Sequence, residues 1–251
     1  MIKRRDFIRN TSLAGVLALS IPEIVNAAMP KEKKGKAIKL ESGNVILFQG
    51  DSITDSGRNK QEQKTNVPTV LGNGYAFLSA AELLFQHADK NLTVYNKGIS
   101  GNKVYQLAER WEKDCIDIKP NVLSILIGVN DYWHKHNGKY DGTVEVYKKD
   151  LIALLEKTKS QFPNIKLIIG EPFAVRKVRA VDDTWYPEFD SYRVAAKEIA
   201  HQFNAVFIPF QKVFDEAEKV APGTYWTIDG VHPTLAGAKL MSEAWLKAIK
   251  S

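Results

Sequence analysis

The sequence lacks a second cysteine, since Cys115 is the only one among 251 residues. A chain with one cysteine forms no internal disulfide, even in an oxidising compartment. Cys115 also lies far from the N-terminus, which excludes a lipid-anchored lipoprotein cysteine, and its surroundings are typical of a packing residue. Long apolar runs are missing as well, because no segment after the N-terminal region approaches the roughly 18 apolar residues of a membrane-spanning helix. We therefore expect no membrane span in the mature protein.

The body of the chain also lacks net charge. The formal charge of +6 comes from residues 1–39, and from Leu40 onward the chain holds 26 basic and 26 acidic residues. Proteins that bind nucleic acid present a basic surface to the phosphates. The composition therefore gives no support for nucleic acid as a partner. The chain has only five histidines, which argues against a metal site built from several of them.

Residues 1–27 are typical of an export signal. Arg4-Arg5 precede a short apolar stretch that ends in small residues, and this order resembles a twin-arginine signal. The predicted cleavage site follows Ala27, which would place the mature protein in the bacterial periplasm or outside the cell. Residues 28–39 are predicted to form a polar linker, and residues 40–251 are long enough for one domain with a sizeable core.

Apolar runs that are typical of strands alternate with segments of helical periodicity. The runs are continuous, which is typical of parallel strands buried on both faces. The helical segments repeat apolar residues every three or four positions, so each buries one face. The pattern predicts one α/β domain in which helices cover both faces of a five-stranded parallel sheet. The predicted strands are 44–49, 92–97, 121–128, 165–170 and 204–210, and the predicted helices are 75–88, 104–115, 144–162, 189–203 and 235–250.

Polar residues follow the predicted strands. Parallel α/β sheets bind their ligands at the carboxyl ends of the strands, so these residues are expected to meet at one edge. A further polar segment precedes the last predicted helix. The segments are 50–52, 96–102, 128–131, 171–190 and 229–234.

Ser52 completes a Gly50-Asp51-Ser52 turn after the first predicted strand. Asp and Ser are preferred helix N-caps, so the triplet is also typical of an ordinary helix start. It differs from the G-x-S-x-G elbow of α/β-hydrolases. A nucleophilic serine needs a base and a residue that orients the base. Asp229 and His232 supply both within one turn, although a lone D-x-x-H pair is equally typical of a surface turn.

Ester hydrolysis also needs hydrogen-bond donors that stabilise the oxyanion. The backbone amides of Ser52 and Gly101 and the side-chain amide of Asn130 lie at three predicted strand ends. Each surrounding motif is by itself also typical of a turn. The set favours a serine hydrolase because a nucleophile, two further donors and a base with its orienter all fall at one sheet edge.

The four motifs together resemble the sequence blocks of the SGNH, or GDSL-type, hydrolases. The resemblance extends over residues 44–249, and the third block departs from the family pattern by having Val129 where Gly is common. The matching blocks are Gly50-Asp51-Ser52, residues 96–101, Gly128-Val129-Asn130-Asp131 and the pair Asp229 and His232.

This resemblance implies a flavodoxin-like three-layer α/β/α sandwich that hydrolyses esters or thioesters without a metal or other cofactor. It implies that Ser52 is the nucleophile, that His232 is the base and that Asp229 orients the base. It further implies an oxyanion hole formed by Ser52, Gly101 and Asn130.

Aromatic residues near the motifs indicate a substrate class. Trp133 follows the third motif and Trp185 lies in the loop 171–190, and aromatic rings commonly stack on sugar faces. We therefore expect an O-deacetylase of acetylated carbohydrate, with Asp51, Trp133 and Trp185 as substrate contacts. Packing of Trp185 within its own loop is an equally good interpretation of that residue.

Three other functions stay open at this stage. A lysophospholipase or acyl-thioesterase would prefer longer acyl chains, although no long apolar lid is evident. A metal-dependent phosphoesterase would use Asp51, Asn130 and His232 as ligands, and a non-catalytic glycan-binding domain would need no base. The expected partner is a small-molecule or oligosaccharide ester, and the sequence does not set the oligomeric state.

Overall fold

The computed structural model describes residues 20–29 and 37–250 of the chain. The strands in this part of the chain form one five-stranded sheet and one small two-stranded pair. The strands are β1 (Ile38–Lys39), β2 (Val45–Gly50), β3 (Thr93–Asn96), β4 (Val122–Leu126), β5 (Lys166–Gly170), β6 (Val206–Ile208) and β7 (Ile249–Lys250).

The five-stranded sheet has the order β3-β2-β4-β5-β6, and every neighbouring pair is parallel. The first strand of this sheet along the chain therefore lies between the second and the third, which is the flavodoxin-like order. The predicted fold class is confirmed, including the number and direction of the strands.

The α-helices of the described residues are α1 (Ile21–Ala28), α2 (Ser52–Asp55), α3 (Pro68–Leu71), α4 (Tyr75–Gln86), α5 (Val104–Glu109), α6 (Val129–His136), α7 (Val144–Gln161), α8 (Glu188–Gln202), α9 (Phe210–Glu218), α10 (Gly223–Trp226) and α11 (Leu235–Leu246). The longer ones divide into two groups by their contacts. One group packs α4 against α11 and α1 against α9 and α11, while the other packs α7 against α5 and α8. These two groups are the outer layers of the α/β/α sandwich.

The strand β4 shows why the central strands read as continuous apolar runs. All five of its residues are buried, because helices cover the sheet on both faces. Its one polar residue, Ser124, accepts a hydrogen bond from Nε1 of Trp245 at 2.9 Å. The Trp245 ring packs against Phe48 of the neighbouring strand β2, with 4.7 Å between ring centroids. The polar groups of Ser124 and Trp245 thus satisfy each other inside the core.

The sheet order also places the ligand-binding edge. The next strand along the chain, β3, lies on one side of β2, and the strand after it, β4, lies on the other side. The strand order therefore reverses at β2. Crevices at such a reversal lie outside the carboxyl ends of the strands. The residues after β2, β3 and β4 are therefore the ones that the fold brings together.

Among the predicted boundaries that differ from the structure, two lie near the ends of the domain. The last helix ends at Leu246 rather than at residue 250, because Ile249 pairs with Ile38 in the parallel β1–β7 ladder. The predicted linker to residue 39 therefore extends too far, since Ile38 is buried in the domain. Short apolar segments beside a lysine-rich stretch carry too little periodicity to predict such pairing.

All residues of helix α1 except Ala28 lie inside the predicted export signal. Ser20 and Glu23 form a capping box at its start, and Ile24, Val25 and Ala28 are buried. Its contacts are with α9 and α11. The predicted cleavage after Ala27 would separate this helix from the domain. The twin-arginine motif and residues 30–36 of the predicted linker lie outside the described residues.

Within residues 20–29 and 37–250, every helix is either too short or too polar to cross a bilayer.

Candidate active site

The turn after β2 is shaped by Gly50. This residue has φ of +155°, and a Cβ atom on it would lie 2.3 Å from the carbonyl oxygen of Leu126 on β4. Only glycine fits so close an approach. Asp51 then accepts a hydrogen bond from the N–H of Ile53 at 3.0 Å, which caps α2. Ser52 is consequently the first residue of a helix that starts at the carboxyl edge of the sheet.

A hydrogen-bonded chain joins Ser52 to two residues from the far end of the sequence. The Oγ atom of Ser52 lies 2.8 Å from Nε2 of His232, although the two residues are 180 positions apart. The Nδ1 atom of His232 lies 2.7 Å from Oδ2 of Asp229. In this arrangement the imidazole can take the serine proton through Nε2 while the carboxylate fixes its tautomer.

The segment that carries Asp229 and His232 is held on both sides. Oδ1 of Asp229 accepts the N–H of Val231 at 2.9 Å and the N–H of His232 at 2.8 Å. Thr234 caps α11 by accepting the N–H of Gly237 at 3.2 Å. The histidine therefore has little freedom to leave the serine.

The surroundings lower the pKa of Asp229 and raise the pKa of His232. Burial opposes ionisation of Asp229, but hydrogen bonds from His232 and from backbone amides outweigh it and lower the pKa of Asp229 to about 2. The hydrogen bond to Asp229 raises the pKa of His232, which burial opposes and the charges of Asp229 and Asp51 support. The pair thus favours an imidazolium beside a carboxylate, the state that forms when a base accepts a proton.

Three hydrogen-bond donors lie in the segments that follow β2, β3 and β4 at the carboxyl edge of the sheet. Within the described part of the chain, the backbone N–H groups of Ser52 and Gly101 have no protein acceptor. The side-chain amide of Asn130 donates one hydrogen to the carbonyl of Asn102 at 3.3 Å, which leaves its second hydrogen for a ligand. Unengaged donors beside a nucleophile are what a developing oxyanion requires.

Asp55 fixes the loop that carries Gly101. Its Oδ2 atom accepts the backbone N–H of Ser100 at 3.0 Å and the hydroxyl of Ser100 at 2.8 Å. Within the same loop, Gly98 approaches the α2 backbone so closely that a Cβ atom would lie 2.4 Å from the nitrogen of Asp55. The loop and the helix that bears Ser52 are therefore one packed unit.

Two buried carboxyl groups lie behind this unit, and sequence reasoning identified neither as such. Asp51 and Asp131 are 0% and 2% exposed, and one oxygen of each has no hydrogen-bond partner in the described residues. Oδ1 of Asp131 accepts the N–H of Val104 at 3.1 Å. Burial raises the pKa of each group to about 7. Both aspartates therefore position backbone rather than face solvent.

The expected substrate contact at Asp51 is wrong. Its side chain is buried and caps α2. The physical reason is that a carboxylate directly before a helix start is drawn to the free N–H groups of the first turn.

The two tryptophans expected to contact substrate lie in different environments. Trp133 is half-buried, and its ring centroid lies 6.3 Å from that of His232. Trp185 is 1% exposed and packs against Trp133 at 5.5 Å and against Phe189 at 5.6 Å. The expected contact at Trp185 is therefore wrong, because its ring fills the space behind Trp133. Of the two rings, Trp133 is therefore the one that is partly exposed and lies near His232.

A cleft of about 730 Å³ opens beside Ser52 and His232. Its rim includes two apolar side chains that are strongly exposed, Ile228 at 61% and Leu235 at 76%. Sequence reasoning missed both, because each is a single apolar residue in a polar turn or at a helix start. The tertiary fold alone brings them to the nucleophile.

The alternative of a metal-dependent phosphoesterase gains no support from the arrangement. Among residues 20–29 and 37–250, no group of three or more His, Cys, Asp or Glu side chains is placed to hold a metal ion.

The fold and the site together define a class of protein, namely α/β/α hydrolases with a Ser–His–Asp hydrogen-bonded chain at the sheet's carboxyl edge. The chain also matches the GDSL-like lipase/acylhydrolase family over residues 48–240. It belongs to that family and is a GDSL-type esterase, which confirms the resemblance found in the four sequence motifs.

Two relatives illustrate the similarity. The chain is 35% identical over 217 residues to an acetylxylan esterase of Geobacillus stearothermophilus. The aligned region covers 84% of this chain and 96% of that enzyme. The crystal structure of the Geobacillus enzyme aligns with a TM-score of 0.76 at 32% identity, covering 85% of this chain and all of that one. A GDSL-like lipase structure from Parabacteroides merdae aligns with a TM-score of 0.83 at 50% identity, covering 84% of this chain and 98% of that one.

Structures of the Geobacillus enzyme include catalytic mutants. In these, a serine, an aspartate or a histidine is replaced by alanine, and the aspartate and histidine are three positions apart. Asp229 and His232 have the same identities and the same spacing in this chain.

Proposed function

We propose that this esterase removes acetyl groups from acetylated carbohydrate through an acyl-enzyme on Ser52. The observation that carries the proposal is the hydrogen-bonded chain from Ser52 through His232 to Asp229 beside three donors free to bind a ligand. The acetylxylan esterase of Geobacillus stearothermophilus supports the substrate class, because it is 35% identical to this chain over 217 residues.

In the first half of the reaction, His232 accepts the proton of Ser52 as the serine oxygen attacks the acetyl carbonyl carbon. The carbonyl π electrons move to oxygen, and the amides of Ser52, Gly101 and Asn130 donate to the oxyanion. Collapse of the tetrahedral intermediate breaks the bond to the sugar oxygen, which leaves with the proton from His232.

In the second half, water attacks the acetyl-serine while His232 accepts a proton from the water. The second tetrahedral intermediate uses the same donors, and its collapse returns the proton of His232 to Ser52 and releases acetic acid, which then ionises to acetate in water. Asp229 holds the imidazole in one tautomer throughout and stabilises the imidazolium that forms in each half. The unusually low pKa of Asp229, about 2, keeps it ionised for this purpose.

Trp133 is the residue proposed to hold the sugar. It is half-buried beside His232 and is supported from behind by the buried ring of Trp185. A ring that is fixed in this way offers a flat apolar face at little entropic cost.

The second candidate is a lysophospholipase or acyl-thioesterase, and one observation favours it. Ile228 and Leu235 expose apolar surface on the rim of the cleft, where a long acyl chain would bury it. Comparing p-nitrophenyl acetate with p-nitrophenyl octanoate separates the candidates. A higher kcat/KM for the acetate supports deacetylation, and a higher value for the octanoate supports the second candidate.

The nucleophile is tested by p-nitrophenyl acetate hydrolysis with Ser52→Ala. We expect the rate to fall close to background, since a residual rate comes only from binding and the oxyanion donors. Ser56→Ala is a matched control, because Ser56 directly follows the last residue of the same helix and lines the same cleft. Equal rates in the parent protein and Ser52→Ala would remove Ser52 from the mechanism.

The substrate class is tested by acetate release from acetylated xylooligosaccharides. We expect release by the parent protein and none by Ser52→Ala. If p-nitrophenyl acetate is hydrolysed but no acetylated sugar is, the esterase assignment stands and carbohydrate deacetylation is wrong.

Export is a second part of the proposal, supported by Arg4-Arg5 and the apolar stretch that follows. The twin-arginine route requires both arginines. Replacing them with lysine is therefore expected to keep the protein in the cytoplasm, as measured by cell fractionation and immunoblotting. Equal amounts in the periplasm or medium with and without the replacements would contradict this part.

A further inference from the structure

We propose that Lys103 and His134 form a cationic subsite beside the active site that binds a carboxylate on the glycan, such as that of a uronic acid residue. The inference rests on the proposed action on carbohydrate. It goes further by assigning a charged substituent to the substrate and two residues to its recognition.

Lys103 has an unusual environment for a lysine. Its side chain is 6% exposed, and within the described residues no carboxylate oxygen lies within 4.0 Å of its Nζ atom. The Nζ atom lies 3.1 Å from Nδ1 of His134 and above two aromatic rings, at 5.3 Å from the centroid of Tyr140 and 5.5 Å from that of Tyr105. Buried ammonium groups are normally paired with an acid.

The contact between Lys103 and His134 fixes the tautomer of the histidine. An ammonium group has donors only, so Nδ1 of His134 is the acceptor and the proton lies on Nε2. Burial lowers the pKa of His134, and the charges of Lys103 and Lys139 lower it further. The imidazole is therefore neutral at neutral pH and presents an N–H donor. The pair offers several donors, one positive charge and no free acceptor.

The charged groups near Lys103 do not neutralise its positive charge. Asp131 is the carboxyl group that interacts with Lys103. It is buried and accepts the N–H of Val104, and neither of its oxygens lies within 4.0 Å of the Lys103 Nζ atom. Lys135, on the same helix as His134, is paired with Glu188. An external carboxylate is thus the partner that Lys103 and His134 lack.

The position of the pair fits a substituent on the sugar. His134 directly follows Trp133 on α6, and it lies one helical turn beyond Asn130, so all three share a helix face. Lys103 directly follows Asn102, whose carbonyl binds the Asn130 amide. A sugar stacked on Trp133 with its ester at Ser52 would therefore bring a neighbouring carboxylate toward Lys103 and His134.

The test compares two inhibitors that differ only in charge, methyl β-D-glucuronide and the corresponding glucuronamide. Each is titrated against p-nitrophenyl acetate hydrolysis, so the readout does not depend on sugar deacetylation. We expect the glucuronide to bind about tenfold more tightly than the amide, the size of one charge-assisted hydrogen bond. In Lys103→Met the ratio of the two inhibition constants should fall close to one.

Two variants and a melting curve act as controls. Lys103→Arg keeps the charge and should keep most of the selectivity, whereas a purely structural role would not follow the charge. Lys135→Met removes a lysine that is paired with Glu188 and should leave the ratio unchanged. Thermal melts show whether each variant is folded.

Several results would overturn the subsite. A ratio near one in the parent protein would do so, as would no inhibition by either sugar. If Lys103→Met keeps the ratio of the two inhibition constants, Lys103 does not cause the selectivity. If Lys135→Met loses the ratio as fully as Lys103→Met does, the selectivity is not specific to Lys103. The proposed function fails by a different result, namely no acetate release from neutral acetylated xylooligosaccharides, which leaves the inhibition ratio measurable.

Discussion

The carboxylate of Asp229 is hydrogen-bonded through both of its oxygens to His232, one to the ring Nδ1 atom and the other to the backbone N–H. The residue that charges during catalysis is thus tied to its counter-ion by its own backbone as well as its side chain. The pH at which His232 loses its proton in the proposed mechanism therefore depends on Asp229.

Activity should fall in acid with a midpoint above pH 6.5, because the hydrogen bond to Asp229 raises the pKa of His232 above its ordinary 6.5. A protonated imidazole cannot accept the serine proton, so kcat/KM is lost as pH falls through that pKa. Asp229→Asn removes the charge, so the acid limb should move to lower pH while kcat falls by roughly 10²–10⁴. The measurement is a pH profile of p-nitrophenyl acetate hydrolysis. An acid limb that stays in place in Asp229→Asn would contradict this account.

Asn130→Ala should lower kcat by roughly 10²–10³ with a small change in KM, since an oxyanion donor acts mainly in the transition state. Steady-state kinetics on p-nitrophenyl acetate measure both parameters. Asn137→Ala, at the other end of the same helix, is the matched control and should behave like the parent protein. If the loss in Asn130→Ala appears in KM alone, Asn130 contributes to ground-state binding instead.

Stability should decrease as pH rises from about 4 to about 7, because burial raises the pKa of Asp51 and Asp131 to about 7 from an ordinary value of 3.8. In that window the folded state binds more protons than the unfolded state. Asp131→Asn keeps an acceptor for the N–H of Val104 and removes one ionisation. The difference in stability between Asp131→Asn and the parent protein should therefore shift in favour of the variant between pH 5 and pH 7.5, so that the variant's free energy of unfolding relative to the parent is larger near pH 7.5.

Urea denaturation at the two pH values gives that comparison, with the exposed Asp117→Asn as the control. An Asp131→Asn effect of the same size at both pH values would show that the carboxyl group ionises normally.

Trp133→Ala and Trp185→Ala should have different consequences. Trp133 is half-buried beside His232, so its loss should raise KM for acetylated xylooligosaccharides more than for p-nitrophenyl acetate. Trp185 is 1% exposed, and truncating it should cost about 3–5 kcal/mol of stability through the cavity that is left. Kinetics on the two substrates and urea denaturation separate the effects. An equal rise in KM for both substrates in Trp133→Ala would argue against sugar stacking.

A chain that begins at Met29 should melt at a lower temperature than one that begins at Ser20. The shorter chain loses α1 and with it the buried side chains of Ile24 and Val25, each typically stabilising by about 1.5–3 kcal/mol before the cost of ordering the helix. In the longer chain, Ile24→Ser should reproduce much of the loss, whereas Ala27→Ser on the exposed side should not. Identical melting temperatures for the two chains would mean that α1 adds no net stability.

The sequence by itself determined the five strands of the main sheet and the positions of the motifs. Continuous apolar runs such as β4 predict buried parallel strands because their pattern is local, and the polar residues after them follow from chain order. Short-range hydrogen bonds are readable in the same way, as in the D-x-x-H spacing that joins Asp229 to His232.

Only the tertiary structure decided which of these residues meet. Ser52 and His232 are 180 positions apart, and their contact depends on how α11 returns to the sheet. Trp185 and Asp51 were expected at the substrate, yet packing buries both, because side-chain burial depends on neighbours that are distant in sequence. The contact of Lys103 with His134 is of the same kind. It joins a strand-end loop to a helix that begins 26 residues later, and no local pattern specifies such an approach.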